Sequence, residues 1–319
     1  MKPYLAIFRT GANSLHPHAV ARLEQQNFDY ALSHYGDNVP PSAGAVFVHR
    51  QAGAKWPGLL ETIKKHADLI SRYRYVWLPD DDLMCTPETV SRMFAVCEDL
   101  KLELAQPALT LDSYFTHVAT LQHKRFQVRF TNFVEIMAPV LSAQLLVRAV
   151  PTMVGNLSGW GLDSLWPRMV GLGKVAIIDS TPIRHTRPIS NGKYPANTAA
   201  GVPAIAEDWL VSAASFIEAP NDFQINFGGL LESGDAIAIG GNERQINAML
   251  HEIIVSLIGG PVTAFQLTRY LSNHMAYCTG GEHGRIRYPR DIVKSILNNV
   301  LRHSGIQFNG PQPRQAMAA

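Results

Sequence analysis

Residues 73–83, Tyr-Arg-Tyr-Val-Trp-Leu-Pro-Asp-Asp-Asp-Leu, run from aromatic and aliphatic side chains straight into three consecutive carboxylates, Asp80, Asp81 and Asp82. The apolar part suits a strand covered on both faces, as in the centre of a parallel sheet. Three adjacent carboxylates repel one another unless positive charge relieves them, and a hard divalent cation is the simplest relief. Mg²⁺ and Mn²⁺ prefer oxygen donors, commonly one or two carboxylates plus the phosphates of a substrate, which fits an Asp-x-Asp pair of Asp80 and Asp82. The competing reading is local: an Asp-rich turn caps the helix expected over Thr86 to Leu100.

The chain before this run alternates strand and helix signals. Strands are expected at Tyr4 to Arg9, Phe28 to Tyr35, Ala45 to Arg50 and Tyr75 to Leu78, with a helix from Trp56 to Ser71. That alternation predicts an α/β fold, and 319 residues are enough for one large α/β domain with an extension, or for two domains. Ligands of open α/β sheets sit beyond the carboxyl ends of the strands, where both the Gly11 to Ser14 loop and the Asp cluster fall. Arg9, Gly11, Asn13 and Ser14 are candidate nucleotide contacts, and so are Lys55, Asp80 and Asp81. The loop carries no dinucleotide fingerprint.

Further on, Leu102 to Leu109 is expected as a strand with an edge or bulge at Pro107. His117 and His123 read as solvated loop histidines near Lys124, Arg125 and Arg129. Arg129 to Ser142 is expected as one apolar strand holding Glu135 among large hydrophobes. A buried carboxylate needs a partner, here either an arginine or the hydroxyl of an acceptor. Ser158-Gly-Trp-Gly-Leu-Asp163 opens a helix expected to reach Val170, and glycines on both sides of Trp160 permit a backbone other residues avoid. Asp163 is either an N-cap or a carboxylate beside a flat aromatic wall, an arrangement that suits sugars, so Trp160 and Gly161 join the substrate-contact candidates. A strand at Val175 to Asp179 follows, and the next strand end, Ile183-Arg-His-Thr-Arg187, offers His185 as a metal ligand.

Taken together, Asp-x-Asp after an aromatic strand, Trp-Gly-x-Asp opening a helix and Arg-His-Thr after a strand resemble GT-A glycosyltransferases of the galactosyltransferase group. A closer resemblance is to domain-of-unknown-function family 707, through Asp80 to Leu83, Gln106 to Leu109, Val134 to Ser142 and Trp160 to Asp163 in this order. It covers roughly residues 1–195. The resemblance implies a GT-A-like, Rossmann-type open mixed sheet flanked by helices, with Asp82 and His185 binding Mn²⁺ or Mg²⁺ and Asp80 touching the ribose or the metal through water. It implies Asp163 as catalytic base, with Glu135 as the second candidate. Two departures stand out: Pro182 replaces the galactosyltransferase methionine three positions before the histidine, and the Glu-Asp pair is reduced to Leu162-Asp163.

The expected activity is metal-dependent, inverting transfer of a sugar from a nucleotide-sugar donor, UDP-sugar foremost, to an acceptor hydroxyl. Its rivals are a metal-dependent hydrolase of phosphate or glycosidic bonds and a non-catalytic nucleotide- or glycan-binding protein. Lys and Arg number 28 against 26 Asp and Glu, a net charge of +2 that offers no general attraction for nucleic acid. No run of 18 apolar residues predicts a membrane span, and a cytoplasmic protein with ordinary thiols at Cys85, Cys97 and Cys278 is expected. Composition shifts near residue 196, which predicts a GT-A-like domain over 1–196 and a mainly helical region over 197–319 that packs on the core or forms a homodimer. Within it, Phe223 to Leu231 and Ala236 to Ile239 read as a hairpin, and helices are expected near 204–217, 242–258, 262–275 and 289–303.

Overall fold

The computed structural model describes residues 1–38, 40–171, 173–188 and 224–238, with short pieces at 252–253, 255–257, 260–263, 266–267 and 269–271. The first four strands are β1 (Tyr4–Thr10), β2 (Phe28–His34), β3 (Val48–Arg50) and β4 (Tyr75–Trp77). They lie parallel in the spatial order 3-2-1-4. All seven positions of β1 are buried, as a strand flanked by neighbours and covered on both faces requires. Tyr4, Ala6 and Phe8 enter one core and Leu5 and Ile7 the other, following the two-residue period of a strand.

From β3 the chain returns through α2 (Lys55–Lys65) and α3 (Ala67–Ile70) and crosses to the far side of β1. β1 and β4 are therefore neighbours whose onward connections diverge, the switch point at which open α/β sheets bind ligands. The helix expected from Trp56 to Ser71 is broken at His66, whose ring stacks on Phe47 with centroids 3.9 Å apart. A short α1 (His16–Ala19) follows the Gly11 loop.

The second half adds β5 (Leu83–Met84), α4 (Pro87–Asp99), β6 (Leu104–Leu109), β7 (Phe126–Thr131), β8 (Val140–Ser142), α5 (Ala143–Ala149), α6 (Leu162–Arg168) and β9 (Val175–His185). The sheet runs β11-β10-β7-β9-β6-β8-β4-β1-β2-β3, with β10 (Asn226–Leu231) and β11 (Ala236–Ala238) forming a hairpin at one edge. β6 and β9 are parallel and the remaining pairs on this side are antiparallel, so the sheet is mixed, open and flanked by helices, as expected. α4 covers one face through Val90, Met93, Phe94 and Cys97, while α2, α5 and α6 cover the other through Leu59, Ile63, Leu145 and Trp166.

Several expectations change. Arg129 to Ser142 is not one strand: β7 ends at Thr131 and β8 begins at Val140. Pro139 has no N–H for a ladder, and the Glu135 N–H goes to the side chain of Gln106. The strands expected on either side of Pro182 are one strand, β9, and Pro107 marks a register shift between β6 and β9. Thr86, not Asp82, caps α4 by accepting the Thr89 N–H. His123 is fully buried rather than solvated. The expected hairpin forms with Gly234 at φ +89° in its turn, yet it pairs with β7 and so extends the sheet beyond residue 196. The helices expected near 204–217 and 289–303, most of those near 242–258 and 262–275, and Cys278 lie outside the described residues. Among the described residues no helix is long and apolar enough to cross a membrane.

Candidate functional site

At the carboxyl end of β4, each of the three adjacent carboxylates has its own cation. Asp80 Oδ1 lies 2.6 Å from Lys55 Nζ, Asp81 Oδ1 lies 2.9 Å from Arg187 Nη1, and Asp82 Oδ2 lies 3.2 Å from His185 Nε2. The relief that the sequence assigns to a metal is thus provided in large part by side chains. The register explains the last pair: β5 runs antiparallel to the end of β9 with Leu83 opposite His185, and the Thr186 N–H donates to the Asp82 carbonyl at 3.1 Å.

His185 is oriented from behind. Its Nδ1 lies 2.8 Å from the Tyr114 carbonyl, an atom that only accepts, so Nδ1 carries a proton and Nε2 faces Asp82. Burial works against a charged imidazole, but the hydrogen bond and charge of Asp82 outweigh it and raise the His185 pKa. Burial likewise opposes ionisation of Asp82, and His185 with Arg187 outweighs it and lowers the carboxyl's pKa. Asp82 Oδ1 is buried without a hydrogen-bond partner. Two donors on one Mn²⁺ or Mg²⁺ at right angles, with bonds near 2.1 Å, stand about 3 Å apart. The Asp82–His185 pair and the bare Oδ1 therefore fit a divalent cation. A third protein ligand does not follow: among the described residues no three His, Cys, Asp or Glu side chains gather as a metal cage. Asp80, named with them, is held instead by Lys55, although 36% of its side-chain surface remains open.

Three of the expected nucleotide contacts are occupied by the protein itself. Lys55 Nζ meets Asp80 Oδ1 and also donates to the carbonyls of Ile136 at 2.7 Å and Met137 at 3.2 Å, which uses all three ammonium protons. Arg9 is buried under α2, its guanidinium donating to Ser33 O and Oγ and to the carbonyls of Gly53 and Ala54. Asp81 joins the loops, since its Oδ2 accepts the Gly11 N–H at 2.9 Å and the Tyr35 O–H at 3.0 Å while its carbonyl accepts the Leu15 N–H. Gly11 is buried beneath the Tyr35 ring, where a Cβ would come within 2.3 Å of Tyr35 Oη. Ser14 Oγ pairs with His16 Nδ1, and the exposed Asn13 gives its carbonyl to Arg187.

Glu135 and Asp163 form the other wall. The loop carrying Glu135 leads into β8 alongside the Asp cluster, with the Asp80 N–H donating to the Met137 carbonyl at 2.9 Å. Among the described residues no arginine pairs with Glu135, and its Oε2 is buried without a partner. Burial first, then the charge of Asp163, pushes its pKa up to about 7, against the pull of His185 and Lys55. Asp163, in the first turn of α6, is raised to about 6 by burial although backbone N–H groups of residues 161, 163 and 164 favour its ionised form. It is partly accessible. Trp160 beside it is 53% exposed, between Gly159 at φ +91° and Gly161 at φ +87°. A Cβ on Gly159 would come within 2.0 Å of Trp56 Nε1, so glycine alone lets this loop seat against the start of α2.

The site thus juxtaposes the Asp82–His185 pair, two carboxyl groups raised towards neutrality, and an exposed indole. Sequence reasoning missed Arg187, which was legible two residues beyond His185, and the roles of Tyr35 and Tyr114, which depend on long-range pairing. Arg129 lies outside the site: it makes a bidentate pair with Asp179 at 2.8 and 2.9 Å, both side chains fully buried, and donates to the carbonyls of Ala119 and Leu121.

The family resemblance holds for residues 11–132, which match the model described as Protein of unknown function (DUF707). That span includes the Asp80–Leu83 and Gln106–Leu109 motifs and stops short of those at Val134–Ser142 and Trp160–Asp163. No curated protein matches the sequence. Among solved structures, the crystal structure of S. aureus TarS 1-349 aligns over 95% of this chain and 80% of that chain at 9% identity, with a TM-score of 0.41. The same protein in complex with UDP-GlcNAc aligns over 95% and 81% at 10% identity and a TM-score of 0.40. A197 from STIV aligns over 59% of this chain and 86% of that chain at 9% identity and a TM-score of 0.36.

Proposed function

We propose that this chain is a GT-A-type glycosyltransferase that moves a sugar from a nucleotide donor to an acceptor hydroxyl with inversion, using Mn²⁺ or Mg²⁺ held by Asp82 and His185. The observation that carries this reading is the pairing, at one switch point, of a cation-competent Asp82–His185 pair having a bare buried oxygen with two carboxyl groups raised towards neutrality. When bound, the cation neutralises the diphosphate leaving group. Asp80, with an open edge, would be available to a water on the bound ion or to the ribose.

Asp163 accepts the proton of the acceptor hydroxyl. A pKa near 6 leaves it mostly ionised at neutral pH and makes it a stronger base than an ordinary aspartate. The transfer comes late, as the sugar centre gains oxocarbenium character and draws in the oxygen. Glu135, poised near 7 with Oε2 unengaged, orients that hydroxyl by a hydrogen bond. The exposed Trp160 indole gives the apolar face of a sugar ring something to pack on. One base and a single displacement invert the anomeric carbon.

The test is release of nucleoside diphosphate from a panel of nucleotide sugars with Mn²⁺, with and without simple glycosides as acceptors. Acceptor-stimulated release that stops on chelation supports the reading. Release indifferent to acceptor would identify a hydrolase, and no release with any donor would leave a binding protein.

A further inference from the structure

Tyr35 stands at the carboxyl end of β2, one strand from the switch point, and leaves 43% of its surface exposed. Isolated exposed aromatics are common, but this one is fixed on several sides. Its hydroxyl donates to Asp81 Oδ2 at 3.0 Å, its ring lies on the backbone of Gly11, and the buried Arg9 guanidinium stands 5.3 Å from the ring centroid. The His34 ring lies nearly parallel alongside, at 20°. Arg9 is buried, so the exposed part of the ring is not the part that faces it. The Asp cluster therefore has an immobilised aromatic on its β2 side, and the Glu135–Asp163 wall with Trp160 on the other.

The geometry points to Tyr35 as the stacking platform for the nucleobase of the donor, which sets the polarity of the cleft: base on Tyr35, diphosphate at Asp80 to Asp82, sugar at Trp160. This rests on the nucleotide-donor reading above. A preorganised ring gives up little conformational freedom on binding, and every base has a face to stack. Such a platform predicts affinity for nucleosides in general, with the choice of base made elsewhere. The Arg9 and Asp81 contacts, which take both groups out of direct substrate binding, acquire a purpose as the mount of this ring.

The experiment is titration calorimetry with Mn²⁺ present, using UDP, GDP, ADP and CDP and, in parallel, inorganic pyrophosphate, on wild type, Tyr35→Ala, Tyr35→Phe and Tyr35→Trp. Tyr35→Ala is expected to weaken the best nucleoside diphosphate by about 10-fold or more and leave pyrophosphate unchanged, in the range base–aromatic stacking supplies. Tyr35→Phe and Tyr35→Trp keep a ring and retain affinity, which separates stacking from a folding defect. Equal weakening of pyrophosphate and nucleotide, or an unchanged nucleotide affinity in Tyr35→Ala, overturns the platform and leaves the donor reading standing. A wild type that binds pyrophosphate but none of the nucleotides more tightly overturns both.

Discussion

His185 Nε2 and Asp82 Oδ2 face each other across 3.2 Å while His185 Nδ1 is committed to the Tyr114 carbonyl at 2.8 Å. With Nδ1 protonated, Nε2 must hold either a second proton or a cation opposite the carboxylate. The raised His185 pKa and the lowered Asp82 pKa favour the doubly protonated ring against the carboxylate, on a register fixed by Leu83 against His185. The neighbouring Asp80–Lys55 and Asp81–Arg187 pairs hold the surrounding loops in place.

Asp163→Asn should lower kcat by about 10²-fold or more and leave nucleotide binding nearly unchanged, since a general base typically contributes 10² to 10⁴. The wild-type rate should rise with pH through about 6, where Asp163 ionises. A steady-state pH profile of both proteins checks this. A variant as fast as wild type would remove Asp163 from the chemistry.

Glu135 makes stability depend on pH. Its pKa rises from the ordinary 4.5 to about 7 on folding, so between those values the folded chain binds more protons than the unfolded one. Its contribution to stability is greatest below about 4.5 and falls as pH climbs to about 7, by on the order of 1 kcal/mol per unit. Asp163 adds a similar loss at lower pH and retains it in the variant. Urea unfolding from pH 5 to 8 should therefore show Glu135→Gln gaining on wild type as pH rises.

Arg129→Met should cost about 3–5 kcal/mol because it leaves Asp179 charged and fully buried. The double variant Arg129→Met with Asp179→Leu should recover a large part of that loss. Denaturant midpoints distinguish this from simple loss of packing, which the second substitution would not restore.

Gly159→Ala combines a backbone strained at φ +91° with a Cβ inside contact distance of Trp56 and Ile136. Gly155→Ala has comparable strain, φ +77°, and nothing within 4 Å. Both should lose stability, by roughly 1–3 kcal/mol for strain alone, with Gly159→Ala the larger. Only Gly159→Ala should also depress turnover, because it displaces the loop that carries Trp160 and Asp163. Thermal melts and initial rates of the two variants make the comparison.

The α/β grammar, the first four strands and the meeting of the Asp cluster with the Gly11 loop were legible because local alternation and buried strand runs encode them. Asp82 and His185 were also legible as partners, through a Rossmann-type reading of strand ends. Long-range bonding was not. Lys55 and Arg9 carry the right charge for a diphosphate and Asp81 can accept from a ribose hydroxyl, yet partners up to 106 residues away use them inside the protein. The loop around Glu135 read as strand because apolar residues flank it, whereas Pro139 and the Gln106 side chain take it out of the ladder. His123 read as solvated because polar neighbours in sequence say nothing about the core it enters.

The most direct test of the central claim is calorimetry of nucleoside diphosphate binding to wild type and Asp82→Asn, each with and without Mn²⁺, with folding checked by circular dichroism. The account predicts that Mn²⁺ tightens binding to wild type, that Asp82→Asn abolishes this enhancement, and that the variant still folds, since the asparagine keeps an oxygen to accept from His185 Nε2 and only the charge of the pair is lost. Mn²⁺ enhancement that survives intact in Asp82→Asn, or its absence from wild type, would contradict it.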